Sequence, residues 1–361
     1  MRKITSYILY AAIATISIFY GIATAAPYIS PVHLALPAYF GLAYPAIWIT
    51  MVALLLVAIC TRHWKSTLFI VVVIAATAFQ WRKTMVFHHA VDTEIEGNKL
   101  RILTYNVGIF NANRDFDAFI QLIQQLDADI VCLQEFGFYS RASSQTKILR
   151  EFDRLYPYRH LWYKNQSGRL YSGLATFSRY PIVKKEKIQY KSRSNVSIYS
   201  DIVVDSDTIR IVNNHLESNR LTRSDRDFKG LLDDGTTSDD LLSHSLLLGS
   251  KLSAAMKIRA LQAEAIRYTV SKTPYKTIVV GDFNDVPQSY TYRTVASGLT
   301  DAYATSGRWG YYWTFNQLPM IFPIDHILTS PSIRATSTTI HHTRLSDHYP
   351  MTADLIIVHS P

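Results

Sequence analysis

The chain has 361 residues, enough for one large domain and an extension. It is 48% hydrophobic with a mean hydropathy of +0.04, high for a soluble protein, and its formal net charge of +9 favours anionic partners or sets membrane orientation. Its two cysteines, Cys60 and Cys132, lie in apolar stretches and exclude a disulfide framework or a cysteine metal cluster.

The amino-terminal residues 1–90 predict a membrane anchor of about three helices. Their apolar residues fall into three segments, 4–26, 34–60 and 67–81. The first two exceed the roughly 20 residues that a helix needs to cross a bilayer, and the third is shorter. No Asp, Glu, Lys or Arg lies inside the segments, which indicates an anchor and not a transport path.

The charges that flank these segments predict the topology. Arg2 and Lys3 precede the first segment, Arg62 and Lys65 follow the second, and the turn at 27–33 has no Lys or Arg. Because positive loops stay on the cytoplasmic side, the amino end is inside and everything after the third segment is outside. The chain is thus expected to be an integral protein of a bacterial inner membrane with an extracytoplasmic domain.

An alternative makes segment 4–26 a cleaved signal peptide, with Ala23-Thr24-Ala25 as its small-residue cleavage site. Both interpretations leave the rest of the chain outside the cytoplasm. Residues 91–99 are mixed in charge without clear periodicity, as in a tether, and residues 100–361 form the globular domain.

The globular part alternates buried strand patterns with a few amphipathic helices. The predicted helices are 116–126, 146–155 and 253–270, and 222–249 is an exposed polar insertion. The predicted strands are 100–107, 129–135, 171–178, 196–204, 208–216, 277–282, 323–328 and 351–358. Many strands with a few long helices indicate an α/β fold with a sheet-on-sheet core and helices outside.

The strand at 278–282 is the one around which the chemistry is organised. It ends in Gly281-Asp282-Phe283-Asn284, and Asp282 and Asn284 point the same way in extended chain. A carboxylate beside a carboxamide suits a hard divalent cation and a neighbouring phosphate oxygen. Gly-Asp turns are common after strands, so this pattern alone is a weak signal.

Other strand ends carry matching polar groups. Each has a structural explanation of its own, such as a turn or a buried hydrogen-bonded pair, but chance does not readily place all of them at one edge. They are Asn106, Glu135, His215, Asp282 with Asn284, Asp325 with His326, and Asp347 with His348.

These residues lie in an ordered set of motifs that resembles the endonuclease/exonuclease/phosphatase superfamily. The resemblance covers residues 100–358, and the anchor lies outside it. The motifs are Leu103-Thr104-Tyr105-Asn106, Leu133-Gln134-Glu135, Ser172-Gly173-Leu174-Ala175, Asn214-His215-Leu216, Gly281-Asp282-Phe283-Asn284, Ile324-Asp325-His326-Ile327 and Ser346-Asp347-His348-Tyr349-Pro350. The resemblance implies a four-layer α/β sandwich, two packed mixed sheets flanked by helices, that hydrolyses a phosphoester with an activated water and a divalent metal.

The resemblance also implies roles for the site residues by position. Glu135 is the main metal ligand, helped by Asp347 and Asn106. Asp282 orients or deprotonates the attacking water, and Asn284 holds the phosphate. The histidines flank the phosphate: they are His215, and His348 oriented by Asp325.

The chemistry of these groups agrees with that reading. A phosphodiester gathers negative charge in its transition state, and a cation with two imidazoles around it stabilises that charge. An all-oxygen ligand set suits Mg²⁺, with Mn²⁺ or Ca²⁺ as alternatives.

The sequence departs from the superfamily's pattern at two places. No carboxylate lies between Gly168 and Arg179, where the deoxyribonuclease branch has a glutamate that supports the histidine matching His215. That leaves open whether His215 is a general acid or a phosphate-binding donor. Gly108 stands where abasic endonucleases have an acidic ligand, which points away from that branch.

Three functions remain open from sequence. The leading one is a membrane-anchored, metal-dependent phosphodiesterase acting on a lipid or headgroup, with aromatics such as Phe110 and Trp309 as contacts or as sheet packing. The second is an extracytoplasmic nuclease that uses the basic residues from Arg141 to Arg226 against DNA or RNA. The third is a catalytically idle membrane scaffold that binds lipid or a partner protein.

Overall fold

The computed structural model describes residues 2–86, 96–113, 116–139, 142–165, 170–192, 195–219, 237–317 and 320–358. Residues 91–95 of the predicted tether, and 222–236 of the predicted insertion, lie outside these ranges, as do Arg141 and Arg226.

The amino-terminal part is a group of packed helices. They are α1 (Arg2–Ala25), α2 (Leu36–Leu42), α3 (Tyr44–Cys60), α4 (Trp64–Ala76) and α5 (Ala78–Trp81), with a 3₁₀ turn at Ala26–Tyr28 after α1. Aromatic rings hold the group together: the Tyr20 and Tyr44 hydroxyls lie 3.1 Å apart, and the Trp81 ring packs against Tyr44.

The structure does not support three membrane-spanning helices. One helical stretch, Ile4–Tyr28, is long and apolar enough to cross a bilayer. Helices α2 and α3 meet at an angle of 67° and qualify only if the bent pair counts as one span, and α4 is too short. The bend falls at Ala43, just before Tyr44-Pro45. Pro45 has no N–H to bond the carbonyl of Gly41, and its ring would clash with that carbonyl, so one straight helix cannot pass through.

The globular part contains two six-stranded sheets. Their strands are β2 (Asn98–Asn106), β3 (Ile130–Tyr139), β4 (Tyr158–Asn165), β5 (Leu170–Ser178), β6 (Ile182–Lys187), β7 (Val196–Val204), β8 (Asp207–His215), β9 (Lys276–Asp282), β10 (Thr300–Asp301), β14 (Asp325–Thr329), β15 (Ile333–Ile340) and β16 (Met351–Ile357). In the first sheet the order is β15-β16-β2-β3-β5-β4, and in the second it is β10-β14-β9-β8-β7-β6. Short pairs lie outside these sheets: β1 (Met85–Val86) with β11 (Gly310–Tyr311), and β12 (Phe315–Gln317) with β13 (Met320–Phe322).

Both sheets are mixed, since β2 runs parallel to β3 and β8 parallel to β9 while their other pairings are antiparallel. Their inner faces pack against each other through buried side chains such as Ile102, Ile211 and Ile278. Each such residue contributes about 1.5–3 kcal/mol when fully buried.

Helices cover the outer faces. They are α6 (Gly108–Asn113), α7 (Phe116–Leu126) and α8 (Ala142–Leu155) on the first sheet, and α9 (Ser238–Ser271) and α10 (Tyr290–Val295) on the second, with α11 (Ala302–Ser306) beside β15. Phe119 and Phe152 pack in the first outer layer, and Ala263 and Ile266 in the second. The predicted two mixed sheets flanked by helices are therefore confirmed.

Helix α9 begins 15 residues earlier than the predicted start at 253. It extends from Ser238, within the predicted insertion. Thr237 caps it by accepting a hydrogen bond from the Asp240 backbone while the Asp240 side chain accepts one from the Thr237 backbone. This capping box explains why the helix begins at Ser238. The helix was not predicted there because the serines that follow interrupt the apolar periodicity.

The helical group docks on the globular part. Tyr39 of α2 donates a 2.5 Å hydrogen bond to the carbonyl of Gly249, and Gln288 donates a 3.0 Å bond to the carbonyl of Gln80. The Arg293 guanidinium stacks on the Tyr28 ring, 4.3 Å from its centroid. All of these contacts lie at the carboxyl end of α1, away from Arg2.

Candidate active site at the rim of the two sheets

Three strands of the second sheet deliver polar side chains to one rim. Strands β14, β9 and β8 are neighbours, and their register pairs Asp325 with Asp282 and Asp282 with His215. Residues far apart in the chain are therefore adjacent in space at this rim, with Asp282 between the other two. His326 alternates to the other face, where its ring packs on Phe283 and Tyr292.

The first sheet contributes from the facing rim. Asn106 ends β2, and Glu135 sits in a β-bulge of β3, where Gln134 pairs with Leu174 but Phe136 pairs with Gly173. At the bulge Glu135 has a φ of +51°, a conformation that is uncommon outside glycine. Bulges change the direction in which a side chain leaves the strand. Its side chain is 37% exposed and opens into a cleft.

Asn106 links the two rims. Its Nδ2 atom donates to Oδ2 of Asp282 at 3.0 Å and lies 3.5 Å from Oε1 of Glu135. Its Oδ1 accepts from the backbone of Gly108 at 3.1 Å. The amide nitrogen thus lies between two carboxylates, a position that would suit a cation equally well.

His348 forms a charged pair with a buried carboxylate. Its Nδ1 lies 2.8 Å from Oδ2 of Asp325, and its Nε2 lies 3.7 Å from Oδ2 of Asp282. Burial lowers the pKa of His348, but the two carboxylates outweigh it and raise the pKa to about 10. Burial raises the pKa of Asp325, and the charge and hydrogen bond of His348 bring it below its ordinary value. The pair is an imidazolium with a carboxylate that fixes its orientation.

Asp282 is the most enclosed carboxylate of the site. It is 1% exposed and accepts hydrogen bonds from Asn106 and, at 2.7 Å, from the backbone of Asn284. Burial raises its pKa, and the positive charge of His348 offsets this only in part. A carboxylate with a raised pKa is a better proton acceptor than an ordinary aspartate.

His215 faces the same carboxylates from β8. Its Nε2 lies 3.6 Å from Oδ2 of Asp282 and 3.8 Å from Oε1 of Glu135. Burial lowers its pKa, although Asp282 and Glu217 pull in the opposite direction. The two histidines therefore differ: His348 is held charged and His215 is biased towards the neutral form.

Two predicted site residues, Asp347 and Asn284, form hydrogen bonds with residues outside the predicted set. Asp347 accepts a 2.9 Å hydrogen bond from Nε2 of Gln317, and its charge adds to burial in raising the pKa of Glu135. Asn284 has a φ of +51°, and its Nδ2 donates to the carbonyl of Leu216 at 3.0 Å, so this amide hydrogen is used within the protein.

The donor set fits a hard divalent cation. Glu135 and Asp347 supply carboxylate oxygens that raise each other's energy when both are charged, and a cation would relieve that repulsion. Asn106 would serve as an oxygen ligand only with its amide rotated by half a turn. A second group, Asp282, Asp325 and His348, has ligand atoms within 4.8 Å of one another, but its imidazole nitrogen is already engaged by Asp325.

Several supporting residues were not predicted from sequence. Arg259 of α9 is buried, forms an ion pair with Asp285 at 3.1 Å and donates to the carbonyl of Glu217 at 2.8 Å. It thereby ties the loop after His215 to the loop after Asp282. A capping-box search could have found the helix, but nothing local in the sequence identifies the partner of Arg259.

Two cavities open beside these residues. One of about 300 Å³ is lined by Glu135, His215 and Ser218 among others. Its neighbour, about 690 Å³, shares Ser218 and is bounded by Lys191 and by the Lys251 turn of α9. The smaller one is the cleft into which the Glu135 carboxylate opens.

Two family models match different parts of the chain. The model of the endonuclease/exonuclease/phosphatase family matches residues 103–348, and a domain of unknown function (DUF8431) matches residues 6–84. A search of curated proteins found no match to the chain.

Solved structures share the fold. An endonuclease/exonuclease/phosphatase family protein from Leptotrichia buccalis C-1013-b is 15% identical, with a TM-score of 0.51 over 71% of this chain and 99% of its own. Humanized TDP2 of D. rerio is 13% identical, with a TM-score of 0.51 over 71% of this chain and 98% of its own.

Proposed function

The chain belongs to the endonuclease/exonuclease/phosphatase family, whose members hydrolyse phosphoesters, and from this premise we propose that it is a membrane-anchored, metal-dependent phosphodiesterase acting on a lipid or headgroup. The observation that carries the proposal is the meeting of Glu135, Asp282, His215 and His348 at one rim, joined through the amide of Asn106.

Glu135 and Asp347, with Asn106, would hold the cation. When bound, a divalent metal would neutralise charge on a phosphate oxygen. The ligand set suits Mg²⁺, with Mn²⁺ or Ca²⁺ as alternatives, because carboxylate and amide oxygens prefer hard cations.

The remaining residues divide the chemistry. Asp282, buried and with a raised pKa, orients the attacking water and accepts its proton. His348, kept charged by Asp325, binds a phosphate oxygen and stabilises the charge that grows there. His215 flanks the phosphate on the other side, and Asn284 supplies a further polar contact.

Glu217 offers the support that β5 lacks. The deoxyribonuclease branch carries that carboxylate on the strand that corresponds to β5. Here Glu217 is buried two residues after His215 and raises the pKa of this histidine, while its own carboxylate accepts a 2.6 Å hydrogen bond from Ser192. Burial still lowers the pKa of His215 overall, so Glu217 only partly offsets it.

The proposed arrangement has an anchor in residues 1–90, a tether at 91–99 and a catalytic domain at 100–361. The span would be Ile4–Tyr28. Arg2 and Lys3 precede it, and Arg293 of the catalytic domain packs at its other end on Tyr28. By the positive-inside rule, Arg2 and Lys3 favour an amino end inside and a catalytic domain outside the cytoplasm. With this single span, Arg62 and Lys65, which three spans would place inside, also lie outside. In a bacterium the membrane would be the inner one.

An extracytoplasmic nuclease is the second candidate. Lys184 and Lys187 of β6 lie over the rings of Tyr199 and Trp162, which supports a basic, aromatic surface suited to a phosphate backbone. The lipid reading is preferred because an anchor holds the site near lipid. Of the aromatics considered for lipid contact, Phe110 is fully buried in the core, whereas Trp309 is exposed.

An idle scaffold is the third candidate. A scaffold would gain nothing from an imidazolium between two buried carboxylates. Burying these charges costs free energy, so a protein without catalytic activity has no evident reason to keep them.

The test compares substrates with one preparation of the full chain in nanodiscs. Hydrolysis of sphingomyelin in vesicles, of DNA and of inositol phosphates is measured with Mg²⁺ and with chelator. Asp282→Ala is run alongside to exclude a contaminating hydrolase. Metal-dependent lipid hydrolysis that the variant lacks supports the proposal; preference for DNA supports the nuclease; no hydrolysis of any of them supports the scaffold.

A further inference from the structure

The first half of helix α9 is a leucine-rich segment that the described part of the protein leaves largely uncovered. Residues 241–248 contain five leucines, at 241, 242, 246, 247 and 248. The capping box of Thr237 and Asp240 fixes where the helix begins, so residues 241–248 belong to the regular helix and not to a frayed terminus.

The exposure of these leucines is unusual for the globular part. Leu242 is 59% exposed, Leu246 66% and Leu247 54%, and Leu241 is exposed as well. In the second half of the same helix, Met256 and Ala260 are buried, and Ala263 packs with side chains of the second sheet. Soluble surfaces rarely carry such a dense apolar cluster unless it meets a partner or a membrane.

The leucine segment lies beside α2, which packs against α1 of the candidate membrane span. Gly249, one residue after it, accepts the hydrogen bond from Tyr39 of α2. The connection from the span to α2 also exposes apolar side chains, including Tyr28, Leu34 and Leu36. Two uncovered apolar surfaces are therefore joined at one contact, at the end of α1 where the catalytic part docks.

The helix continues from this segment towards the site. The turns after Gly249 present Lys251, Ala254 and Ile258 to the cavity of about 690 Å³. That cavity shares Ser218 with the cleft of Glu135 and His215. A lipid that moves from the bilayer along α9 would pass the leucine segment, then Lys251 at the larger cavity, and then the cleft of Glu135 and His215.

We propose that the leucine segment of α9, residues 241–248, inserts into the interfacial region of the phospholipid bilayer and holds the mouth of the cleft at the membrane surface. This rests on the membrane anchoring proposed above and adds a second membrane contact from within the catalytic domain. An interfacial helix of this kind buries its apolar side chains just below the headgroups.

The experiment measures depth and needs no catalysis. The full chain with Cys60→Ser is reconstituted in nanodiscs whose lipids carry quenchers both high on the acyl chain and near its end, and a fluorescent probe is attached to Leu246→Cys. Tyr268→Cys is the matched control, because Tyr268 is 65% exposed on the same helix about 33 Å further along. Ile18→Cys, on the exposed surface of the candidate span, reports the anchor itself.

We expect lipid quenching at Leu246→Cys at least twofold stronger than at Tyr268→Cys, with strong quenching at Ile18→Cys. Equal quenching at Leu246→Cys and Tyr268→Cys overturns the proposal, and the anchor still stands if Ile18→Cys is quenched. A disulfide-linked dimer of unlabelled Leu246→Cys, with no quenching of the labelled protein, also overturns it, because a second copy would then cover the leucines. Lack of quenching at all three positions overturns the anchor and this inference together.

Discussion

The Nδ1 atom of His348 lies 2.8 Å from Oδ2 of Asp325, a buried contact between residues that reach the rim from opposite sheets. Because Asp282 lies on the other side of the ring, the imidazole has a carboxylate near each nitrogen. The positive charge of His348 is therefore a property of the assembled rim and not of any one segment.

Removing the carboxylate of Asp325 should make activity depend on pH. His348 has a pKa of about 10, so its charge is present below that value and is lost as pH rises through it. In Asp325→Asn the pKa moves back towards about 6.5, and the charge is lost through the neutral range. We expect kcat for bis-p-nitrophenyl phosphate to fall by about 100-fold at pH 8 and by less at pH 6.

The matched control is Asp201→Asn, which breaks a buried pair with Arg210 on the other strands of the same sheet. It should reduce thermal stability and leave the pH profile of kcat unchanged. An Asp325→Asn profile parallel to that of the unmodified protein would contradict the role of the pair.

Glu135→Gln should weaken the metal site. The amide keeps the shape of the side chain but removes the charge that attracts the cation, so the Mg²⁺ concentration for half-maximal activity should rise by about 10- to 100-fold or more. Glu186→Gln on β6 is the control, since Glu186 is exposed. The same Mg²⁺ requirement in both variants would remove Glu135 from the ligand set.

Arg259→Met should destabilise the fold and not only the site. It leaves Asp285 buried without its ion partner, which costs about 3–5 kcal/mol of unfolding free energy. Arg154→Met, in an exposed pair with Glu151, should cost under about 1 kcal/mol. Thermal unfolding of the three proteins in detergent gives the comparison, and equal losses would show that the buried pair is not a structural link.

His160 should make stability fall in acid. It is buried beside Oγ of Ser200, and burial, with Lys185, lowers its pKa to about 4. The unfolded chain binds a proton near pH 6.5, so the contribution is complete above that value and is lost as pH falls towards 4, up to about 3 kcal/mol.

The measurement is thermal unfolding at pH 7 and at pH 4.5, compared with His160→Asn. The loss between these pH values should be smaller in the variant. An equal loss would show that other groups account for the acid sensitivity.

The sequence allowed much of the rim to be predicted because strand ends are visible as apolar runs that stop at a polar residue. His215 and Asp282 follow that rule, whereas Asp325 begins β14, whose antiparallel pairing with β9 places it beside Asp282. Glu135 could be located but not oriented, because its direction depends on a bulge and a positive φ. The contribution of Glu217 depends on how the loop after β8 folds back.

The amino-terminal part was harder to predict because apolar composition shows how long an apolar segment is but not whether its helix bends. Residues 34–60 are apolar enough for one span, but the chain bends between α2 and α3. Trp81 ends the third apolar segment, where tryptophan is typical of a membrane interface, yet it packs inside the helical group against Tyr44. Pro45 accounts for the bend, whereas contacts with residues distant in the chain determine where Trp81 lies.

The most direct test of the account is hydrolysis of bis-p-nitrophenyl phosphate by the full chain, with and without Mg²⁺ and chelator, beside Asp282→Ala. The account predicts turnover that requires the metal and falls by at least about 100-fold in the variant. Turnover that is absent with metal, or that is the same after Asp282→Ala, would contradict it.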